Sequence, residues 1–316
     1  MGKAFKQANY VFLLPGIFIY LLGVYFRALR WKFFLKPLGK FSSLRLFPLI
    51  VIGFLVNNVL PGRLGIVARA YILGEKEHVS KMSVGGTVVA EQIFDGVTLL
   101  LFASVISLFV PLSGSIQQVV YVAAGLFIAA LLFFFALALS PRFTRKGIAI
   151  SLLVLPKKWH GKSEMWLLRF VEGLGFMRSP RKLISIFMIS GLVWLCEASL
   201  FYMTARSFDL DQPFHIMLLV TSVASLSWAL IFVAPAGVGP FDYFCKETLL
   251  LFVPAGVVSS AYEASVSAYV IVLHAVLILP MIALGFVFLW RENLTLARLV
   301  GSQKKSADQS GNKVGQ

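Results

Sequence analysis

Eight apolar runs, separated by short polar segments, constrain the fold of this chain more than any other feature. They cover residues 10–30, 46–60, 82–110, 117–139, 183–207, 214–233, 240–253 and 265–290. A helix crosses a bilayer with about 20 apolar residues, and several of the runs reach that length. Hydrophobic residues make up 59% of the chain and charged residues only 14%, with a mean hydropathy of +0.85. The sequence therefore predicts an all-α, polytopic membrane helix bundle.

The positive charge of the chain lies mainly in short segments beside the apolar runs. A net charge of +15 would also suit a nucleic-acid partner. However, lysines and arginines that flank apolar runs are typical of cytoplasmic loops, so no nucleic acid is expected as a partner. Residues 27–45, 63–81, 142–182 and those after 290 are expected inside. The uncharged 111–116 segment and the 207–213 segment, which holds two aspartates, are expected outside.

Loop charge also predicts two helical hairpins that do not cross the membrane. Run 46–60 has a basic segment on each side, so we expect it to enter, turn at Pro61-Gly62 and return through 64–73. Runs 214–233 and 240–253, which are broken between 234 and 240, are expected to form a second re-entrant hairpin from the external face. Broken segments at corresponding places in two halves indicate an inverted repeat with a site at the breaks.

The remaining segments predict one membrane domain with a polar tail. Residues 1–300 are expected to form a single transmembrane domain, and residues 301–316 are polar and predicted to be disordered. The basic, leucine- and tryptophan-containing stretch at about 141–182 fits an amphipathic helix on the cytoplasmic membrane surface. A plain cytoplasmic linker is the alternative.

Two carboxylates in the third run are the first candidate site residues. Glu91 and Asp95 are four residues apart and share one face of a helix. Charge at membrane depth costs about 3 kcal/mol per residue, so such groups point to function. They could form a proton-coupling pair or contact a cationic headgroup; alternatively, Arg63 or Arg69 neutralises a structural pair. No histidine or further carboxylate has a metal-ligand spacing, so no metal and no cofactor are predicted.

The first hairpin supplies four polar candidates. Arg63 and Arg69 flank its return limb, and a guanidinium binds a phosphate with two parallel hydrogen bonds. Anchoring at the cytoplasmic surface is the alternative explanation for both arginines. Asn57 and Asn58 could bind the ligand or, as is more frequent for asparagine, cap the turn.

Two further carboxylates are candidates for ligand binding. Glu197 stands alone in the fifth run, where it is costly to bury. Asp242 follows Pro240 at the start of the seventh run, where it would complement the helix dipole, with Lys246 four residues on to neutralise it. The single His274 is interpreted as a core residue. No nucleotide loop, nucleophile elbow or zinc motif occurs, so no catalytic residue is predicted.

Three motifs resemble a known membrane family. The first reads Asn57-Asn58-Val59-Leu60-Pro61-Gly62-Arg63-Leu64-Gly65, with Arg69-Ala70-Tyr71, Glu91 and Asp95 behind it. It is similar to the signature of the lysylphosphatidylglycerol synthase transmembrane-region family, the flippase-like domain proteins. Arg27-Ala28-Leu29-Arg30-Trp31 resembles the basic-Trp motif of that family. Pro235-Ala236-Gly237-Val238-Gly239 with Asp242 resembles its Pro-Gly-Gly-x-Gly-x-x-Glu segment. Together these similarities extend to about residue 290.

The chain departs from the family pattern in three places. Gln92 stands where the family has arginine, and Asp242 stands where it has glutamate. The family usually has one more helix before the segment that matches run 10–30, a difference that a truncated start would explain. These departures bear on the substrate more than on the fold.

The resemblance implies a multi-pass protein of the inner membrane that translocates or handles a polar phospho-, aminoacyl- or glycolipid. Its expected partners are membrane phospholipids with an anionic or aminoacylated headgroup, and a separately encoded enzyme or a second copy of the chain. In bifunctional relatives a soluble domain transfers lysine to phosphatidylglycerol. That domain is expected to be absent here, so enzymatic activity is not expected. The alternative is a membrane-embedded lipid-modifying transferase (lysyl or glycosyl transfer) or its non-catalytic membrane subunit.

Overall fold

The computed structural model of the chain describes residues 1–60, 62, 64–110, 112, 114–154, 160–230, 237–253 and 259–294, with backbone alone at 147, 148, 150–154 and 160–163. Within these residues the chain forms twelve α-helices and no strand. They are α1 (Gly2–Gln7), α2 (Leu13–Phe34), α3 (Ser43–Val59), α4 (Gly65–Lys76), α5 (Lys81–Ser107), α6 (Gly114–Leu139), α7 (Pro141–Val154), α8 (His160–Gly173), α9 (Pro180–Ser207), α10 (Phe214–Leu230), α11 (Pro240–Leu251) and α12 (Ser260–Arg291). Short 3₁₀ turns at Tyr10–Phe12 and Leu174–Arg178 precede α2 and α9.

Five helical segments are long and apolar enough to cross a membrane. They are Tyr10–Phe34, Lys81–Ser107, Gly114–Leu139, Pro180–Ser207 and Ser260–Arg291, each with 25 or more residues. The apolar helices α3 and α10 have 17 residues each and fall short of that length. The predicted all-α, polytopic membrane bundle is confirmed.

The first hairpin consists of α3 and α4, which pack against each other across a tight turn. The turn includes Gly62, whose φ of +78° is in the left-handed region that favours glycine. Asn57 Oδ1 accepts a hydrogen bond from the backbone N–H of Gly65 at 2.8 Å, so it satisfies one free donor at the start of α4. Gly65 itself lies directly against the backbone of Gly53. These contacts hold the two limbs together.

The second hairpin pairs α10 with α11. Residues 231–236 between them, including Pro235 and Ala236 of the family-like motif, lie outside the described residues. Gly237 and Gly239 have φ of +76° and +96°, and Pro240 is the first residue of α11. Proline suits that place because its missing N–H would have no helical partner there. That either hairpin enters and leaves the membrane on one face stays a prediction.

The two halves of the chain pack crosswise. Helices α2 and α9 lie against each other in the middle, where an added Cβ at Gly23 would come within 2.9 Å of Cys196 Cβ. Helix α3 of the first half packs along α12 of the second, with the rings of Phe47 and Phe288 5.8 Å apart. Helix α10 of the second half packs in the same way along α5 of the first. That the two halves form an inverted repeat stays a prediction.

Two segments differ from the sequence-based expectation. Helix α2 runs on to Phe34, so Arg27 and Arg30 are buried helical residues and do not belong to a cytoplasmic loop. In the 141–182 stretch the chain forms α7 and α8, and α8 packs on α5, where Ser83 Oγ donates to Glu172 Oε2 at 3.3 Å. The expected position of this stretch on the cytoplasmic surface stays a prediction, and the polar tail, 301–316, lies outside the described residues.

Gly65→Ala should destabilise the first hairpin. The added Cβ would overlap the Gly53 carbonyl oxygen and lie 2.6 Å from Asn57 Oδ1, so α3 and α4 would have to separate. Overpacking of this kind costs about 1–3 kcal/mol, and we expect a lower melting temperature in detergent. Gly85→Ala in α5 is the control, because its added Cβ meets nothing within 4 Å. Equal melting temperatures for the two variants would contradict the tight packing of the hairpin.

Candidate functional site

A cavity of about 140 Å³ lies between the two hairpins, in the interior of the bundle. Asn57, Asn58 and Gly62 of the first hairpin and Ser225 and Trp228 of α10 contribute to its lining. The lining also contains charged residues, Arg27, Arg69, Glu91, Asp95 and Glu197, and mainly apolar ones, Tyr20, Ile50, Phe54, Phe127, Leu277 and Ile278. The space can hold several water molecules, each of which needs about 10–15 Å³.

Arg30 is not part of the cavity lining, and it binds both predicted carboxylates of α5. It has no exposed surface. Its Nη1 donates to Asp95 Oδ1 at 2.6 Å, and its Nη2 donates to Asp95 Oδ2 at 2.9 Å and to Glu91 Oε1 at 3.0 Å. Nη1 also donates to Ser190 Oγ of α9 at 2.8 Å. One guanidinium therefore connects α2, α5 and α9.

Arg69 of the first hairpin binds the second oxygen of Glu91. Its Nη2 donates to Glu91 Oε2 at 2.7 Å. Its guanidinium carbon lies 4.1 Å from the centre of the Trp31 ring, a cation–π contact, while Trp31 Nε1 donates to Thr87 Oγ1. The side chain passes over Gly53, where an added Cβ would come within 2.7 Å of Arg69 Cδ. A glycine at 53 is thus what lets Arg69 reach the carboxylate.

Arg27 extends the cluster to α9. Its Nη2 donates to Glu197 Oε2 at 2.7 Å, and its Nη1 lies 3.4 Å from Asp95 Oδ2. The guanidinium packs over the Trp194 ring at 4.8 Å, and Trp194 Nε1 donates to Asp95 Oδ1 at 2.9 Å. Asp95 therefore accepts four hydrogen bonds, which occupy the roughly four lone-pair sites of a carboxylate.

The sequence produces this cluster through helical spacing. Arg27 and Arg30 are three residues apart on α2, and Glu91 and Asp95 are four apart on α5, so each pair lies on one face of its helix. Three arginines then meet three carboxylates, counting Arg69 and Glu197. The formal charges of these six groups balance, which lowers the cost of burying them together.

The structure brings four of the predicted site residues together: Arg69, Glu91, Asp95 and Glu197. Their pairing matches the alternative in which an arginine neutralises the carboxylates. Asn57 caps α4, and Asn58 lines the cavity with an Oδ1 that has no hydrogen-bond partner among the described residues. Arg63 lies outside the described residues.

Asp242 lies outside the cluster. Its Oδ2 accepts the Gly239 N–H at 3.0 Å at the start of α11, and its Oδ1 lies 2.5 Å from His274 Nδ1. Among the described residues it forms no ion pair with Lys246, so the expected i,i+4 neutralisation is not made. His274, interpreted from the sequence as an isolated core residue, is the partner instead.

Arg27, Arg30 and Trp194 belong to the site but were not among the residues predicted from the sequence. The two arginines were assigned to a basic loop, although Trp31, Phe33 and Phe34 continue the apolar pattern behind them. That continuation is the signal that would have placed them inside the helix. For metal binding, the described residues hold no group of three or more histidines, cysteines or carboxylates.

Arg30→Met should be strongly destabilising. It would leave Asp95 and Glu91 buried with part of their charge unmatched, and breaking a buried ion pair costs about 3–5 kcal/mol. Lys76→Met is the control, because it removes a partly exposed pair with Glu292 that is worth about 1 kcal/mol or less. Thermal unfolding in detergent measures both.

A double-mutant cycle tests the same ion pair from the other side. Asp95→Asn in the Arg30→Met background should recover part of the lost stability, because it removes the unmatched charge. An Arg30→Met variant as stable as Lys76→Met would show that the cluster does not need its central cation.

Comparison with known proteins assigns the chain to a family. A family model for the lysylphosphatidylglycerol synthase TM region matches residues 1–285. No curated protein and no solved structure matches the chain. The match covers all the residues of the charged cluster and both hairpins. The chain is thus an integral, multi-pass membrane protein that belongs to the lysylphosphatidylglycerol synthase TM region family.

Proposed function

We propose that this protein moves the polar headgroup of a phospholipid through the membrane by way of the cavity between the two hairpins. One observation carries the proposal: a cavity inside a membrane bundle is lined by charged as well as apolar residues. A phospholipid headgroup with its attached glycerol and acyl chains likewise combines charged and apolar parts. Inverted-repeat transporters bind their substrates at such a place, near the breaks of discontinuous helices.

Arg69 and Asn58 are the groups we assign to the phosphate end of the headgroup. Arg69 makes one ion pair, and its Nε has no hydrogen-bond partner in the described part of the chain. Stacking on Trp31 keeps the guanidinium plane fixed, and a fixed planar donor suits phosphate. Arg63, for which the sequence also suggested phosphate binding, lies outside the described residues, so its role stays a prediction.

Glu197 is the carboxylate we assign to a cationic or hydroxyl group of the headgroup. It accepts one hydrogen bond, from Arg27, and its side chain is 12% exposed, compared with 2% for Glu91. Asp95 is unsuited to that role because four donors already occupy it. A headgroup that carries phosphate and an amine, such as an aminoacylated phosphatidylglycerol, would satisfy both ends.

The same occupancy argues against the transferase alternative. A general base must accept a proton from its substrate, and every lone pair of Asp95 is already engaged. Glu91 is almost fully buried and bound by two arginines. We therefore propose a transport role in the inner membrane, in which a separately encoded enzyme makes the aminoacylated lipid. A homo-oligomer is compatible with this role.

Glu197→Gln should reduce movement of a cationic headgroup selectively. In proteoliposomes, lysylphosphatidylglycerol placed in the inner leaflet becomes accessible to a membrane-impermeant amine reagent as it crosses. Loss of a charged hydrogen bond corresponds to about a 10- to 100-fold effect, so we expect a rate at least tenfold lower. Phosphatidylglycerol movement, followed with a headgroup-oxidising reagent, should change much less.

Glu263→Gln is the matched control, because Glu263 is exposed near the start of α12 and lines no part of the cavity. Its rates should equal those of the unaltered protein for both lipids. If the unaltered protein moves neither lipid faster than empty liposomes, the transport proposal is wrong.

Substitutions of the neighbouring Asn57 and Asn58 distinguish a structural role from a role in ligand binding. Asn57→Ala removes the cap of α4 and should lower the free energy of unfolding by about 1 kcal/mol. Asn58→Ala removes no hydrogen bond to Oδ1 and should leave thermal stability unchanged. It should still slow headgroup movement by about threefold to tenfold, the effect of one lost hydrogen bond. If Asn58→Ala lowers thermal stability but leaves the rate of headgroup movement unchanged, Asn58 does not bind the headgroup.

A further inference from the structure

Three uncharged polar side chains that line the cavity have hydrogen-bonding atoms without a partner among the described residues. They are Asn58 of the first hairpin, Gln92 of α5 and Ser225 of α10. Each carboxylate of the lining, by contrast, is bound by at least one arginine. Buried polar atoms that the chain leaves unpaired have to be satisfied by water or by a ligand. The three side chains are therefore available to a ligand in the cavity.

Ser225 is the exception among the hydroxyl side chains of α10. Thr221, Ser222 and Ser227 each donate to a carbonyl three or four residues back in the helix, at 2.7 to 2.8 Å. This local bond is the usual one for a serine or threonine in the middle of a helix. Ser225 is only 8% exposed and lines the cavity, yet its hydroxyl bonds to no residue in the described ranges. Its hydroxyl is thus free to bind a group inside the cavity.

Asn58 lacks a hydrogen-bond donor for its side-chain oxygen. Its Oδ1 is buried and has no partner in the described part of the chain, whereas Oδ1 of Asn57 accepts the N–H of Gly65. An amide oxygen only accepts, and so does an ionised phosphate. The phosphate assigned above to Asn58 can accept from Nδ2 but cannot donate to Oδ1. A headgroup that satisfies Asn58 completely therefore carries an O–H or N–H group close to its phosphate.

Gln92 places a free amide beside the charged cluster. It lies between Glu91 and Asp95 on α5, and Gly96 continues the face of the helix that lines the cavity. The two neighbouring carboxylates are bound by Arg30, but the amide of Gln92 bonds to none of the residues that the structure describes. An amide has two N–H donors and an oxygen with two lone pairs. This side chain can therefore both donate to a ligand and accept from it.

A hydroxyl is the ligand group that suits these three side chains together. An ammonium only donates and an ionised phosphate only accepts, so each would satisfy an amide in part. A hydroxyl donates one hydrogen and accepts through two lone pairs, so it can pair with an amide oxygen, an amide N–H or a serine. It also adds no charge to a cavity at which three arginines already match three carboxylates. A group with several hydroxyls can bind more than one of the three side chains at a time.

We propose that Asn58, Gln92 and Ser225 form a hydroxyl-binding site, which selects a hydroxylated headgroup over a headgroup of equal charge without hydroxyls. That the ligand is a lipid rests on the proposed function. Two sources supply this chemistry: the glycerol of a phosphatidylglycerol-type headgroup and the sugar of a glycolipid. Arg69 and Glu197 bind the charged ends of the headgroup, and the hydroxyl-binding site recognises its uncharged part.

Phosphatidylglycerol and phosphatidylpropanol test the site, because they carry the same single negative charge and only the first has headgroup hydroxyls. Short-chain forms of both lipids are titrated into the purified protein in detergent, and their affinities are measured by calorimetry. The unaltered protein should bind phosphatidylglycerol about tenfold more tightly, the effect of one or two hydrogen bonds. Ser225→Ala and Gln92→Leu should each lower this ratio about threefold and leave the affinity for phosphatidylpropanol unchanged.

Ser222→Ala is the matched control, because Ser222 lies one turn before Ser225, donates within its own helix and lines no part of the cavity. Its affinity ratio should equal that of the unaltered protein. Equal affinities for the two lipids in the unaltered protein would overturn the hydroxyl-binding site. A preference for phosphatidylglycerol that Ser225→Ala and Gln92→Leu leave unchanged would also overturn it.

A monohexosyl diacylglycerol, which has hydroxyls but no phosphate, distinguishes the two sources. Where phosphatidylglycerol is preferred over phosphatidylpropanol, binding of the glycolipid that weakens in Ser225→Ala assigns the site to a sugar. Absence of glycolipid binding assigns it to the glycerol of a phospholipid.

Movement in proteoliposomes separates the hydroxyl-binding site from the transport function. Both phospholipids carry a fluorescent label on one acyl chain, and a membrane-impermeant reductant bleaches the label as each lipid reaches the outer leaflet. A protein that prefers phosphatidylglycerol in binding but moves no lipid would overturn the transport function and leave the site standing. A protein that binds and moves both lipids equally would overturn the site and leave the transport function standing.

Discussion

The interaction on which the rest of the structure depends is the guanidinium of Arg30, which has no exposed surface and binds both Glu91 and Asp95. A lone buried charge is far too costly in a membrane interior, so this arginine and its carboxylates require each other. The requirement fixes the rotation of α2 and α5 about their axes, because any other rotation would face one charge towards lipid. Helix α9 is then placed by Ser190 and Trp194, which hydrogen-bond to the same group of charges.

With α2, α5 and α9 in place, the contact of Arg69 with Glu91 constrains the position of the first hairpin. Arg69 must reach the free oxygen of Glu91, and it does so by crossing Gly53 of its own hairpin. The close approach of Gly65 to Gly53 and the cap from Asn57 set the separation of the two limbs. The cavity lies between this hairpin and α10, and the residues of these ion pairs supply the charged part of its lining.

The sequence was sufficient to predict the all-α membrane bundle, the short broken segments and four members of the charged cluster. Hydropathy shows how long and how apolar a segment is, and α5, α6, α9 and α12 are both long and strongly apolar. It could not reveal that Arg27 and Arg30 are buried, because an arginine at the end of an apolar run looks the same whether it faces a headgroup or a carboxylate. The pairing of Asp242 with His274, 32 residues away, depends on how α11 lies on α12. No local pattern encodes that contact, whereas the neighbour at i,i+4 is visible in the sequence and was the wrong partner.

The crosswise packing of the two halves has a mechanical consequence. Each hairpin packs against a long helix from the opposite half: α3 contacts α12, and α10 contacts α5. Helices α2 and α9 contact each other. A displacement of α3 would therefore alter the packing of α12, and a displacement of α10 would alter the packing of α5. Each hairpin thus depends, for its position, on a long helix that comes from the other half of the sequence.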